Sequence, residues 1–307
     1  DRRQRQMCIR DRPVCVLSGH GQCVISRSRE AKKLGIPMGI PTFKMTKEMK
    51  EATLITASHD LYGEISDEVM SVLKSISPKV EQYSIDEAFV DLTGLVRLYK
   101  KNYLELAQMI RQEVLEKVDI PVSIGVSTSK SLAKLASDKA KNFEGGVFLV
   151  GSRKIEPLLK HTAIEEIWGI GRNLSRLFRQ NGILSAYDLV QRSDSWLDKQ
   201  IGIRGLEMKH ELLGEMVSPV DDTFKPPKSI QKTSAFGIFT SDLEFIKNEL
   251  NYHIHSACKK LRRLNLKCSG IAVMLRTKVE FKVYYEKITI PHATCYESVS
   301  YTHLTLP

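Results

Sequence analysis

The stretch Val80-Glu81-Gln82-Tyr83-Ser84-Ile85-Asp86-Glu87-Ala88-Phe89-Val90-Asp91-Leu92 places the strongest constraint on the fold. Its two halves are rich in β-formers and flank a small polar centre, which predicts a hairpin with Asp86-Glu87 at the turn. Adjacent acids inside an apolar hairpin carry a desolvation cost unless something positive faces them. A divalent cation meets that need economically, because Mg²⁺ takes carboxylate and phosphate oxygens together. Read alone, the dipeptide is better accounted for by an exposed turn, where Asp is common.

The flanking sequence predicts an α/β domain or a split βαβ arrangement. A strand and turn are expected at 13–18 and short strands at 23–25 and 53–56, with a helix from Arg29 to Leu34 stopped by Gly35. Leu61, Ile65, Val69, Val72 and Leu73 recur at helical spacing, so His59 to Ile76 reads as a helix ended by Pro78. Helices at 103–118 and 129–141 then alternate with strands at 122–126 and 147–150. From Lys154 to Met216 the pattern is helical throughout, with short Gly-containing turns. Ser218 to Lys228 holds Pro219, Asp221, Asp222, Pro226 and Pro227 and reads as an extended linker. Beyond it, strands at Lys232–Phe239, Gly270–Thr277 and Lys282–Ile288 surround a helix from Leu243 to Leu264, a small second α+β domain.

Composition narrows the class. The chain has 307 residues, 46 Lys+Arg against 36 Asp+Glu for a net charge of +10, and 42% hydrophobic residues. That is ample core material for about two domains and excludes global disorder. No window approaches the roughly 18 apolar residues of a membrane span, and the opening DRRQRQMCIRDR lacks the apolar region of a secretory signal. The six cysteines form no Cys-x-x-Cys pair and read as reduced thiols of a cytosolic protein, Cys258 and Cys268 as core. His253 and His255, two apart on a helix, face different directions and make a poor metal pair. A basic chain of this kind favours a polyanionic partner, nucleic acid foremost.

The hairpin, from Tyr83 to Gly94, resembles the palm motif of Y-family (translesion) DNA polymerases. Residues 23–39, CVISRSREAKKLGIPMG, resemble the fingers segment in its UmuC-like form. Ser123 to Val126, then Ala133 to Ser137 and Ala140-Lys141, are similar to the palm strand and helix that follow the hairpin. Three motifs in order cover most of residues 13 to 290. The resemblance implies an α+β, multi-domain right-hand polymerase. Its parts are small fingers (13–58), a palm with a ferredoxin-like sheet (59–150), a helical helix-hairpin-helix thumb (151–217), a linker (218–228) and an incomplete α+β little finger (229–299). Residues 1–12 and 300–307 match no family element and are expected to be a non-native extension and tail.

The same resemblance implies the chemistry: template-directed addition of dNMP to a primer 3′ end past damaged template, with two Mg²⁺ ions held by carboxylates. Asp86 would be a shared metal ligand and Glu87 the ligand on the primer side, while Ser84 and Asp91 frame the hairpin, Asp91 structurally. Ser26, Arg29, Lys32 and Lys141 correspond to nucleotide-binding positions. Lysine at 32 keeps the charge of the commoner arginine without its bidentate geometry. Ile167-Trp168-Gly169-Ile170-Gly171-Arg172 looks like the thumb's DNA-binding hairpin, where backbone N–H groups take a phosphate without reading sequence. Gly169, Gly171 and Arg172 are its candidate contacts, and Ile201 to Gly205 is a weaker second version. Lys259, Lys260, Arg262 and Arg263 resemble the little finger's grip on template backbone, which predicts salt-sensitive, sequence-tolerant binding.

Family members begin with a strand carrying a further metal-binding Asp, aromatic residues and a gate against ribonucleotides. Counted back from the fingers motif, that strand precedes Asp1, so this chain is expected to lack it and to polymerise poorly. Primer–template DNA and dNTP are the implied partners, with an accessory dimer, a recombinase filament and a sliding clamp by family resemblance, and no membrane. The implied location is the bacterial cytoplasm, at the nucleoid. The rival reading is a non-catalytic DNA-binding protein on a polymerase scaffold.

Overall fold

A computed structural model of the chain describes residues 12–18, 21–143, 145–223, 225–236, 240–277 and 282–295, the side chains of 291 and 292 excepted. The end segments singled out above therefore lie outside the described residues, Arg12 and the elements up to 295 aside. The chain divides into two units, His59–Thr223 and a second made of Asp1–Ser58 with Phe224–Pro307.

In the second unit, strands β1 (Val14–Leu17) and β2 (Val24–Arg27) pair antiparallel, and β3 (Thr53–Thr56) lies parallel to β1, giving the order β2-β1-β3. Cys15, Leu17, Val24, Ala31 and Ile36 form the small core beneath them. The helix Arg29–Lys33 starts at Ser28, whose hydroxyl accepts from the Ala31 N–H, and ends at Leu34 before Gly35 at φ +72°. The helix Leu243–Arg263 starts under the Asp242 carboxylate, which accepts the Glu244 and Phe245 N–H groups. Strands β8 (Cys268–Arg276) and β9 (Val283–Thr294) form an antiparallel pair. The strand expected at 232–239 is not formed over 232–236, and 237–239 lie outside the described residues. Side chains attach that segment instead. Ser234 Oγ meets His253 Nε2 at 2.9 Å, and Phe236 packs edge-on against Phe245 at 5.5 Å.

His59–Thr223 begins with the helix His59–Ile76, whose Met70, Val72, Leu73 and Ile76 are buried. It leads into the hairpin of β4 (Val80–Gln82) and β5 (Ala88–Val90). The helix Tyr103–Val118 opens with a capping box between Asn102 and Glu105 and buries Leu106, Ile110 and Val114 against the same core. Strands β6 (Ile124–Val126) and β7 (Val147–Leu149) are parallel, joined through the helix Lys130–Ala140. Among the described residues β4–β5 and β6–β7 are separate ladders, where a ferredoxin-like palm leads one to expect a single sheet.

Gly125 lets that helix approach. A Cβ there would sit 2.1 Å from both Ala133 O and Ser137 N, so only glycine admits the helix backbone this close to β6. Five helices follow between Ser152 and Leu213. Leu159, Ile164, Phe178, Ile183, Leu189, Leu197 and Leu212 pack together with Leu132 and Leu135 of the helix Lys130–Ala140, so one core joins the two parts. Gly202, at φ +71°, alone links the helices Asp194–Ile201 and Ile203–Leu213.

Glu211 fastens the end of this unit. Its buried carboxylate accepts Ser131 N–H at 3.0 Å, an orphan donor of a helix first turn, and also the Val217 and Ser218 N–H groups at 3.1 and 3.0 Å. The Glu211 carbonyl accepts the Ser129 hydroxyl at 2.5 Å. The first part of the expected linker is thus tied to the unit.

Candidate functional site

The loop between β4 and β5 is closed by its own backbone: Tyr83 and Ser84 N–H both donate to Glu87 O, at 3.0 and 3.1 Å. This turn presents Asp86 to solvent and leaves Glu87 half-buried. Ser84 Oγ donates to Asp86 Oδ1 at 2.7 Å and accepts the Asp86 N–H at 3.3 Å, so the serine fixes that carboxylate's direction. Lys134, from the helix Lys130–Ala140, donates to Glu87 Oε1. Asp91, at the base of the hairpin, accepts the Thr93 N–H at 2.8 Å. Hydrogen bonding from Thr93, with help from the Lys79 charge, holds the Asp91 carboxyl below its ordinary value against the opposite pull of burial.

A second ion pair braces the hairpin from one turn earlier on the same helix. Lys130 Nζ, 9% exposed, lies 2.5 Å from Glu81 Oε2 and 5.4 Å from the centre of the Phe89 ring. The same Glu81 oxygen accepts the Asp221 N–H at 2.7 Å. Above these charges three rings meet: Trp168 lies 5.0 Å from Tyr83, edge-on, and 5.6 Å from Phe89, which is 6.1 Å from Tyr83.

The donor set fits a hard divalent ion. Asp86 Oδ2 and Glu87 Oε2 accept no hydrogen bond among the described residues. Among the described residues no group of three or more His, Cys, Asp or Glu side chains converges there. Two carboxylates completed by water and phosphate oxygens are how Mg²⁺ is commonly held in nucleotide sites. Lys141 caps the same helix about two turns beyond Lys134, on the same face, with its exposed ammonium on Asp138 at 2.6 Å.

In the helical part after Ser152, Gly169 stands at φ +92°, and Gly171 opens the helix Arg172–Gln180 with no side-chain cap. Its first N–H groups and the exposed Arg172 are thereby open to an anion. In the other unit, Ser26 on β2 and Arg29 and Lys32 on the following helix are exposed, the two cations three residues apart on one face. Lys259, Lys260 and Arg263 lie exposed on the helix Leu243–Arg263, opposite the buried Ile254, Cys258 and Leu261, and the exposed Arg262 flanks that buried stripe. Arg262 also donates to Cys295 O at 3.2 Å. Sequence reasoning missed Glu81, Lys130 and Lys134. Their one signal is two lysines at i and i+4 on a helix predicted to follow the hairpin.

The impB/mucB/samB family matches residues 2–138 of this sequence, and that family's C-terminal domain matches residues 227–305. The chain belongs to the impB/mucB/samB family. It is 33% identical over 298 residues to Protein SamB of Salmonella typhimurium, covering 92% of this chain and 70% of SamB. To Protein UmuC of Salmonella typhimurium (strain LT2) it is 32% identical over 272 residues, 87% of this chain and 64% of UmuC. It therefore spans somewhat under two thirds of UmuC's length. A solved Y-family DNA polymerase chimera, Dbh-Dpo4(243-245)-Dbh, superposes with a TM-score of 0.76 at 24% identity over 98% of this chain and 87% of that one, which shows the fold. The chain is thus a UmuC-like member of the Y-family, the DNA-directed DNA polymerases of translesion synthesis and DNA repair, enzymes that generally use divalent metals. Among the described residues no helix is long and apolar enough to cross a membrane.

Proposed function

We propose that this protein adds nucleotides to a primer 3′ end opposite damaged template, with Asp86 and Glu87 as the carboxylates of a two-Mg²⁺ site. The observation that carries the reading is the hairpin turn, which holds both acids beside a helix whose Lys134 and Lys141 share one face. When bound, Mg²⁺ supplies Lewis-acid activation of the 3′-hydroxyl and neutralises the triphosphate. Ser84 keeps Asp86 oriented for that ion. Lys134 balances the charge of Glu87 and, with Lys141, adds positive charge on the triphosphate side. Ser26, Arg29 and Lys32 bind the nucleotide in the same reading. Gly169, Gly171 and Arg172 bind backbone phosphate, and Lys259, Lys260, Arg262 and Arg263 bind template backbone.

The reading divides the chain into fingers (13–58), palm (59–150), thumb (151–217), linker (218–228) and little finger (229–299). It also includes action at the bacterial nucleoid with an accessory dimer, a recombinase filament and a sliding clamp. Primer extension tests its centre. Mg²⁺-dependent addition of single nucleotides is expected, reduced about 100-fold or more by Asp86→Asn, since one directed charge is often worth that much. Addition indifferent to Asp86→Asn would overturn the assignment. Salt-dependent DNA binding without Mg²⁺-dependent dNTP binding would instead favour the non-catalytic scaffold.

A further inference from the structure

Trp168 is neither one of the acids nor one of the candidate phosphate contacts Gly169, Gly171 and Arg172, yet its ring packs on the two rings that flank the acids and it adjoins the turn. It immediately precedes Gly169, whose left-handed backbone starts the turn into the helix Arg172–Gln180. Its ring lies 5.0 Å from Tyr83 at 85° and 5.6 Å from Phe89. Tyr83 and Phe89 bracket Asp86 and Glu87, and the Tyr83 N–H helps close their loop on Glu87 O at 3.0 Å. Edge-on and tilted rings at these separations are mutually attractive and directional. Displacing one ring therefore displaces the others. The cluster is only half-buried, and Tyr83 is 49% exposed, so it adds little to the core. The Lys130–Glu81 pair braces the neighbouring strand, and the Trp168 contacts with Tyr83 and Phe89 join the two loops.

We propose that Trp168 is a positioning residue: through Tyr83 and Phe89 it ties the placement of the Asp86–Glu87 loop to the phosphate-binding turn at Gly169–Arg172. The inference rests on the polymerase reading above and adds to it a residue that touches no substrate. Capture of a duplex phosphate at the turn then sets the hairpin, and metal at the acids is felt at the indole. The required displacement is small, since an error of about 1 Å in a reacting group can cost on the order of 100-fold in rate.

The chain holds two tryptophans, so Trp196→Phe leaves Trp168 as the sole indole reporter. Titrating Mg²⁺ into that protein without DNA is expected to shift Trp168 emission, and Asp86→Asn or Tyr83→Ala to remove the shift. In single-turnover extension, Trp168→Ala and Tyr83→Ala are each expected to slow addition about 10-fold or more. Primer–template affinity should stay within about threefold, a departure too small to explain that loss. The double variant should be no slower than the slower single, because both break one link. Trp168→Phe keeps a ring and should restore most of the rate, which separates positioning from simple folding. Additive losses, a rate loss matched by the loss of DNA affinity, or emission unmoved while Mg²⁺ still stabilises the protein through Asp86 would each overturn the proposal and leave the polymerase reading standing. Failure of Mg²⁺ to stabilise the protein at all would remove both.

Discussion

Lys134 and Glu87 meet as an ion pair between a helix and a hairpin that lie 47 residues apart in the chain. The lysine therefore occupies one oxygen of a carboxylate proposed to hold metal. An internal cation and a bound one compete for the same charge. Lys134→Met is expected to lower the melting temperature in chelator, because Glu87 loses its partner in a half-buried place. The same variant should gain more melting temperature from a given Mg²⁺ concentration than the parent does. Equal Mg²⁺ gains in the two proteins would mean the lysine does not compete.

Glu81 serves two partners through one oxygen, Lys130 Nζ at 2.5 Å and Asp221 N–H at 2.7 Å. Glu81→Gln keeps an acceptor for the amide but strands the Lys130 charge in a site that is 9% exposed. Breaking one side of such a pair costs about 3 kcal/mol. Adding Lys130→Met should recover most of that loss, because a methionine fills the space without charge. Urea unfolding of the two single variants and the double measures the coupling. A double variant no more stable than Glu81→Gln would show that burial of the charge is not the source of the loss.

Gly125→Ala drives a methyl group into the backbone of the helix Lys130–Ala140, 2.1 Å from Ala133 O and Ser137 N. Overpacking of this sort typically costs about 1–3 kcal/mol, and here the displaced atoms are backbone. The helix would carry Lys130 and Lys134 away from the hairpin, so stabilisation by Mg²⁺ should change along with unfolding. Gly171→Ala is the matched control, having φ −87° and open space around its Cβ position. Alanine is a poorer N-cap than glycine, so the control's unfolding free energy should fall, but by less than about 1 kcal/mol. Comparable losses in the two variants would refute the close-approach argument.

The elements whose local signals agree were legible in the sequence. His59–Ile76 has apolar residues at helical spacing and a proline two residues on, and the helix keeps those bounds. The turn of the hairpin follows from β-formers around a polar centre, and the stop of the helix Arg29–Lys33 from Gly35 after it. Pairings that need two distant segments were not legible. Lys130 and Lys134 look like any solvated helix face until β4 and its loop are set beside them. Glu211 sits in a helical run with nothing to mark it as buried, since its three N–H partners come from positions 131, 217 and 218. The segment 232–236 has strand-like composition, but its side chains found a helix before its backbone found a ladder.

The two carboxylates that take the amides of residues 217, 218 and 221 also alter the arithmetic of a leash. Of the stretch 218–228, expected from composition to be an extended linker, the first four of eleven residues are fastened at both ends. A flexible chain's span grows with the square root of its length, so the seven left reach roughly 20% less than eleven would. Two glutamates, Glu81 and Glu211, thus set the free length of that leash.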